Sequence, residues 1–280
     1  MTAPTMQRVS RKAPCPVCKS PDWCGVSPDG AVAVCMRVQS DRPTKNGGWL
    51  HRLKDAPSTH PVMRTPPPVR SRPFDAAAYH AAIRKRWTNE LLVEHAHDLG
   101  VGMDGLGALA PAWDGFNQAL AFPMRDGSGA IVGIRLRALD GRKWAVCGSK
   151  EGLFFNPDMQ AVSDLVVCEG PTDTAAALSM HLDAVGRPSC AGAVEHLVAL
   201  VRRLRVRSVT IVADHDEPKE RPDGSLWQPG LEGAQKLAHA LGRMHRIILP
   251  PGKDLRSWWH AGATRGQFDD IAAKAKWRLG

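Results

Sequence analysis

The stretch Leu165-Val166-Val167-Cys168-Glu169-Gly170-Pro171-Thr172-Asp173 decides how the rest of the chain is read. Its apolar residues have the pattern of a short buried strand. A glutamate stands where that strand ends. Gly170 and Pro171 break it, and Thr172-Asp173-Thr174 opens an alanine-rich helix running to residue 180. The spacing therefore predicts an acid at the carboxyl end of a parallel strand, where open α/β sheets take their ligands. Asp173, in the first helical turn, is expected to face the same crevice.

A second stretch has the same grammar. Residues 208–213 form a buried-strand pattern that runs into Asp214-His215-Asp216. Two carboxylates separated by one residue point the same way if the strand continues. Beyond a further strand at 245–249, Lys253-Asp254 places another acid just past a strand end. Glu169, Asp173, Asp214 and Asp216, assisted by Asp254, are oxygen ligands suited to a hard cation, Mg²⁺ or Mn²⁺. The expected fold class is α/β, with a parallel sheet in the C-terminal part.

Of 280 residues, 43% are hydrophobic, enough for two domains with real cores. No run approaches the ~18 apolar residues of a membrane span. Residues 1–12 are polar and basic, without the apolar segment of a secretory signal. A cytoplasmic protein with no membrane partner is expected, and its seven cysteines read as metal ligands or buried thiols, not disulfides. Residues 1–73 hold twelve basic side chains against four acidic ones, a net +8 of the chain's +9. A small basic module on a near-neutral body points to nucleic acid.

That module begins with Cys15-Pro16-Val17-Cys18. A strand around residues 23–26, a turn at Ser27-Pro28-Asp29-Gly30 and a return strand at 31–35 bring Cys35 back beside the knuckle. Structural Zn²⁺ takes four ligands and prefers thiolates. Cys15, Cys18 and Cys35 are three. A second Cys-x₂-Cys is missing, since position 38 is Val38, so Cys24 and His51 compete for the fourth place. His51, in a third strand, is slightly favoured, because Cys24 reads as mid-strand. Some 50 residues have too little core to fold without such a staple. Residues 54–73 are proline-rich and basic, an extended linker.

Residues 74–109 look helical. Strands at 119–125 and 130–137 flank an Asp126-Gly-Ser-Gly129 turn, making a hairpin. Arg135 and Arg137 share one strand face and Lys143 is expected to join them, a basic track for phosphate backbone beside an acidic crevice. Residues 217–230 read as a polar loop, 231–241 as a helix, and 255–260 and 267–277 as closing helices. There is no G-x-x-x-x-G-K-[ST] phosphate loop, which argues against a fused motor.

Glu169-Gly170 after one strand and Asp214-x-Asp216 after another resemble a Toprim domain, shared by bacterial-type primases, topoisomerases and some nucleases. The cysteine-rich ribbon, the run Phe122-Pro-Met-Arg-Asp126 … Gly133-Ile-Arg-Leu-Arg137 … Lys143-Trp144 … Ser149, and Lys253-Asp254 together resemble bacterial and phage-type DNA primases, over residues 15–53 and 115–260. The resemblance implies a zinc ribbon (1–53), a linker (54–73), a basic subdomain (74–160) and a Rossmann-like Toprim catalytic domain with C-terminal helices (161–280). It implies synthesis of short RNA primers on single-stranded DNA from ribonucleoside triphosphates, in a phage or mobile-element setting, with a separate replicative helicase as partner. Glu169, Asp214 and Asp216 would be catalytic. Arg125, Arg135, Arg137, Lys143 and Lys253 would hold nucleic acid. A topoisomerase needs a tyrosine nucleophile, and the single tyrosine, Tyr79, lies in an early helix. A Toprim nuclease and a non-catalytic zinc-ribbon adaptor stay open as alternatives.

Overall fold

The computed structural model describes residues 6–44, 47–53, 74–221 and 224–280. The expected linker, 54–73, lies outside the described residues. The chain divides into two compact units: Met1–Asp75 with Lys143–Ser149, and Ala76–Arg142 with Lys150–Gly280.

In the first unit β1 (Gln7–Arg8), β2 (Gly25–Val26), β3 (Val32–Cys35) and β4 (Trp49–Arg52) form an antiparallel sheet in that order. The β2–β3 turn is built as its residues predict. The Ser27 hydroxyl accepts the amides of Ala31 (3.1 Å) and Val32 (3.0 Å), and Gly30 takes a left-handed φ of 65°. The core is unusual: Val9 with the thiols Cys15, Cys24 and Cys35. So little apolar surface cannot hold a sheet by itself.

The second unit opens with α1 (Ala76–Arg84), α2 (Asn89–Leu99) and α3 (Met103–Ala108). Thr88 caps α2 at its start, and Gly100, at φ 65°, ends it. β5 (Ala112–Asp114), β6 (Ala119–Arg125) and β7 (Ile131–Ala138) then make an antiparallel sheet. β6 pairs Leu120 with Arg137 and Phe122 with Arg135, so both arginines lie on one face, as expected. β6 is buried along its whole length, meaning that both of its faces are covered. Lys143–Ala145 is β8, in the ribbon's unit, where Cys147 Sγ donates to the Met36 carbonyl at 3.0 Å.

The rest is a six-stranded sheet. In chain order come β9 (Phe154–Phe155), β10 (Asp164–Glu169), α4 (Gly170–Ser179), β11 (Ala184–Arg187), α5 (Val194–Arg203) and β12 (Ser208–Val212). A small hairpin, β13 (Lys219–Glu220) and β14 (Leu226–Trp227), occupies the expected polar loop. Then follow α6 (Pro229–Leu241), β15 (Met244–Ile248), α7 (Leu255–His260), α8 (Arg265–Lys274) and β16 (Arg278–Leu279). The sheet order is β16-β15-β12-β10-β11-β9, parallel through its four central strands. The chain goes from β10 to β11 on one side, then returns to β12 on the other. The strand order therefore reverses beside β10, which opens a crevice at the carboxyl ends of β10 and β12.

Small residues let the layers meet closely there. A Cβ on Gly186 of β11 would stand 2.0 Å from Thr174 Oγ1 and 2.7 Å from the Gly170 carbonyl of α4. Leu165, Val167, Leu197, Leu200 and Ile211 fill the space under the sheet. Truncating one such leucine to alanine costs about 2–5 kcal/mol. The architecture is the α/β class read from the sequence, with a β ribbon, an antiparallel hairpin region and a parallel sheet.

Candidate active site and metal centre

The ligand sulfurs of Cys15, Cys18, Cys24 and Cys35 all lie within 4.8 Å of one another. Cys18 Sγ and Cys24 Sγ are 3.7 Å apart. Four sulfurs about 2.3 Å from a central Zn²⁺ in a tetrahedron would be about 3.8 Å apart, so the cluster fits that ion. Backbone amides already face the sulfurs: Met36 N–H to Cys24 (3.4 Å), Arg37 N–H (3.4 Å) and Val38 N–H (3.2 Å) to Cys35. The hydrogen bond from Cys24 pulls the Cys35 thiol down to about 5, and the same bond, with burial, pushes Cys24 up. Such a set loses all its protons only when a cation compensates the charge.

The fourth member is Cys24, which corrects the preference for His51. Cys24 does not lie mid-strand: β2 is only Gly25–Val26, and Trp23, at φ 62°, turns the chain just before it. His51 pairs with Ala33, two residues from the Cys35–Trp49 pair, and its Nε2 meets the Val38 carbonyl at 3.0 Å.

The acidic crevice is assembled from three strand ends. Glu169 ends β10 and stands as the residue before α4. Gly170 follows at φ 79°, a conformation that side chains resist, which explains the glycine after the acid. Asp173, only 7% exposed, accepts the Arg256 amide at 2.9 Å. Asp254 caps α7 by accepting the Ser257 amide at 2.7 Å. The His215 amide donates to the Lys253 carbonyl at 2.8 Å, which ties the end of β12 to the turn before α7. Asp216 accepts the Gly230 amide at 2.9 Å, at the start of α6. Asp214 feels all four other acids. Burial first, then Asp173, Glu169, Asp254 and Asp216, push its carboxyl up to about 8.

The structure thus brings Glu169, Asp173, Asp214, Asp216 and Asp254 around one crevice. Among the described residues only the four thiols draw three or more ligand atoms within 4.8 Å, so the carboxylates form a more open set. An open set suits Mg²⁺, which keeps several waters and takes one or two carboxylates plus substrate phosphates.

The basic residues divide. Arg137 is half-buried and borders the crevice, within the fields of Asp173, Asp254 and Arg256. Arg135 shares its face. Lys253 is exposed, and Lys143 is exposed in the ribbon's unit. Arg125 departs from its expected place on a nucleic-acid track. It is 8% exposed, and its Nη1 donates to the Gly129 carbonyl at 3.0 Å within its own hairpin. Only the resemblance implied that place, and β6 is covered on both faces. Arg187, at the end of β11, was not singled out from the sequence. It stands in register with Glu169 and lines the crevice. Ala184-Val-Gly-Arg187 carried the same strand-end signal as the acids, but on a run of only four residues.

No protein-family model matches the sequence, and no curated protein matches it. Among solved structures, the primase catalytic core of E. coli is similar at 15% identity, covering 72% of this chain and 79% of that one, with a TM-score of 0.54. A DnaG primase catalytic domain bound to single-stranded DNA is similar at 14% identity, covering 72% and 78%, with a TM-score of 0.55. The zinc-binding and RNA polymerase domains of Aquifex aeolicus primase are similar at 11% identity, covering 71% and 60%, with a TM-score of 0.55. The class defined by the second unit is therefore the α/β fold of primase catalytic cores. At these identities the likeness is one of fold.

Proposed function

We propose that this chain is a DNA primase, a nucleotidyltransferase that makes short RNA primers on single-stranded DNA. The observation that carries this is the convergence of Glu169, Asp214 and Asp216 at the strand-order reversal of a primase-core fold. In the reaction a 3′-hydroxyl oxygen attacks the α-phosphorus of a nucleoside triphosphate. The bond to the β-phosphate breaks, pyrophosphate leaves, and the hydroxyl proton goes to a base. Asp214 and Asp216 would hold Mg²⁺ or Mn²⁺, with Asp173 and Asp254 fixing the surrounding turns. The ion would supply charge neutralisation at the attacking and leaving oxygens. Glu169, at the end of β10, would accept the hydroxyl proton. Arg135 and Arg137 present fixed positive charge on one strand face for template or nascent strand, with Lys143 and Lys253 as further contacts. The thiol ribbon would hold Zn²⁺ and take part in reading the template, with residues 54–73 as its linker to the catalytic part. The proposed setting is cytoplasmic, with a replicative helicase as partner.

The test is incorporation of labelled ribonucleotide on single-stranded templates, with Mg²⁺ and with Mn²⁺. Wild type should make short primers. Asp214→Asn and Asp216→Asn should lower synthesis by at least ~10³-fold while leaving DNA affinity near wild type. Cutting of the template without synthesis would select the nuclease reading. A wild type inert on every template, with aspartate variants no different from it, would select the adaptor.

A further inference from the structure

Arg187 is 4% exposed, yet its only hydrogen bond among the described residues runs from Nε to the Gly192 carbonyl, at 2.9 Å. That bond fixes the guanidinium plane, and the two amino groups, which have no hydrogen-bond partner among the described residues, keep contact with solvent. Burial opposes its charge, while Cys190, Glu169 and Glu151 favour it through space, and Arg187 has no ion pair among the described residues. Glu151 is committed elsewhere, accepting the Ala193 amide before α5 at 3.3 Å. A buried guanidinium carries a desolvation cost that only hydrogen-bonded anions offset. Here the protein supplies acidic charge nearby and one carbonyl oxygen, on Nε, but no carboxylate oxygen on the amino groups.

Arg187 lines a crevice whose other walls include Glu169, Ser189, Cys190 and Gly230, over an apolar floor at Ile211. Arg187 and Glu169 are register partners on adjacent parallel strands, about 4.8 Å apart along the sheet. The two amino groups left on a fixed guanidinium, with four N–H donors between them, can match two oxygens of a phosphate.

We propose that Arg187 is a phosphate-binding residue in this crevice, taking a phosphate of the incoming nucleoside triphosphate or of the nucleic-acid strand. This rests on the primase reading of the same crevice and names a residue for it. A phosphate there sits beside the carboxylate that would receive the hydroxyl proton. Arg187 would thus orient the phosphate while offsetting charge that the acids alone repel.

The test uses the full chain and reads binding, not synthesis. Wild type, Arg187→Gln and Arg187→Lys are titrated by calorimetry, without divalent metal, with inorganic tripolyphosphate, with a single-stranded oligonucleotide, and with adenosine as a phosphate-free control. Arg187→Gln should weaken tripolyphosphate or oligonucleotide binding at least ~10-fold, and which of the two weakens identifies the source of the phosphate. Arg187→Lys should recover part of the loss. Folded Arg187→Gln with wild-type affinity for both phosphate probes would overturn the proposal. If Arg187→Gln does not fold, phenylglyoxal labelling of wild type replaces it. Protection of Arg187 by either phosphate probe supports the assignment, and equal labelling with and without both rejects it. Loss of phosphate binding in a protein that makes no primer would sink the primase reading alone. Primer synthesis with unchanged phosphate binding would sink only this one.

Discussion

At Asp214, burial and four neighbouring acids make the folded protein hold a proton up to about pH 8, against an ordinary value of 3.8. The folded state then binds more protons than the unfolded chain between these values. Without metal, this group's contribution to stability is present in full below pH ~4 and is lost as pH rises toward 8. Asp214→Asn should flatten that decline and melt higher than wild type at pH 8, by about 2–4 °C for each kcal/mol recovered. Mg²⁺ should raise the melting point of wild type more than that of the variant. Thermal melts from pH 4 to 9 in chelator, then in Mg²⁺, check this, and parallel curves for the two proteins would refute it. Glu169, Asp214 and Asp216 were visible in the sequence because an acid directly after an apolar run is a local signal. Arg187 was not, because its partner Glu169 lies on a strand that only the sheet order makes adjacent. Arg125 was expected to hold nucleic acid through the resemblance alone, and tertiary packing covers both faces of β6.

The ribbon shows what one short element can and cannot disclose. Its turn was legible, since Ser27 and Gly30 do local work that residue type predicts. Its fourth ligand was not, because that depended on where a strand of two residues begins. The same limit hid β13 and β14, which are too short for any periodicity. Arg221 faces the Trp227 ring there, 5.5 Å from its centroid, and pairs with Glu232 of α6 at 2.8 Å. For the ribbon the expectation is definite. Cys24→Ser should release zinc and unfold the module, with a lost metal contribution on the order of 10 kcal/mol. His51→Ala should keep zinc. Metal content by atomic emission, with hydrogen exchange over residues 6–53, reads both. Full zinc in purified Cys24→Ser would remove Cys24 from the site.

For the molecule as a whole, charge is the property that distributes function. The first 73 residues carry almost the entire net charge, so on the proposed reading the second unit would attract nucleic acid through local faces, not through its overall field. Arg135 on β7 is the cleaner probe of such a face, because Arg137 also stands in the field of the crevice acids. Arg135→Ala should weaken single-stranded DNA binding and lower the slope of log affinity against log salt by about 0.7. Filter binding across a salt series measures it. An unchanged slope would take Arg135 off the binding path.

The bonds from Arg256 to Asp173 and from His215 to Lys253 also fix when the crevice comes into being. Asp173 and Arg256 are 83 residues apart in the chain. A nascent polypeptide that has emerged only as far as α6 possesses Glu169, Asp173, Asp214 and Asp216 yet lacks the amide that holds Asp173 and the carbonyl that receives His215. The acids are synthesised early, and their arrangement is completed by one late turn. While it is being made, this protein carries these acids well before the crevice that gathers them.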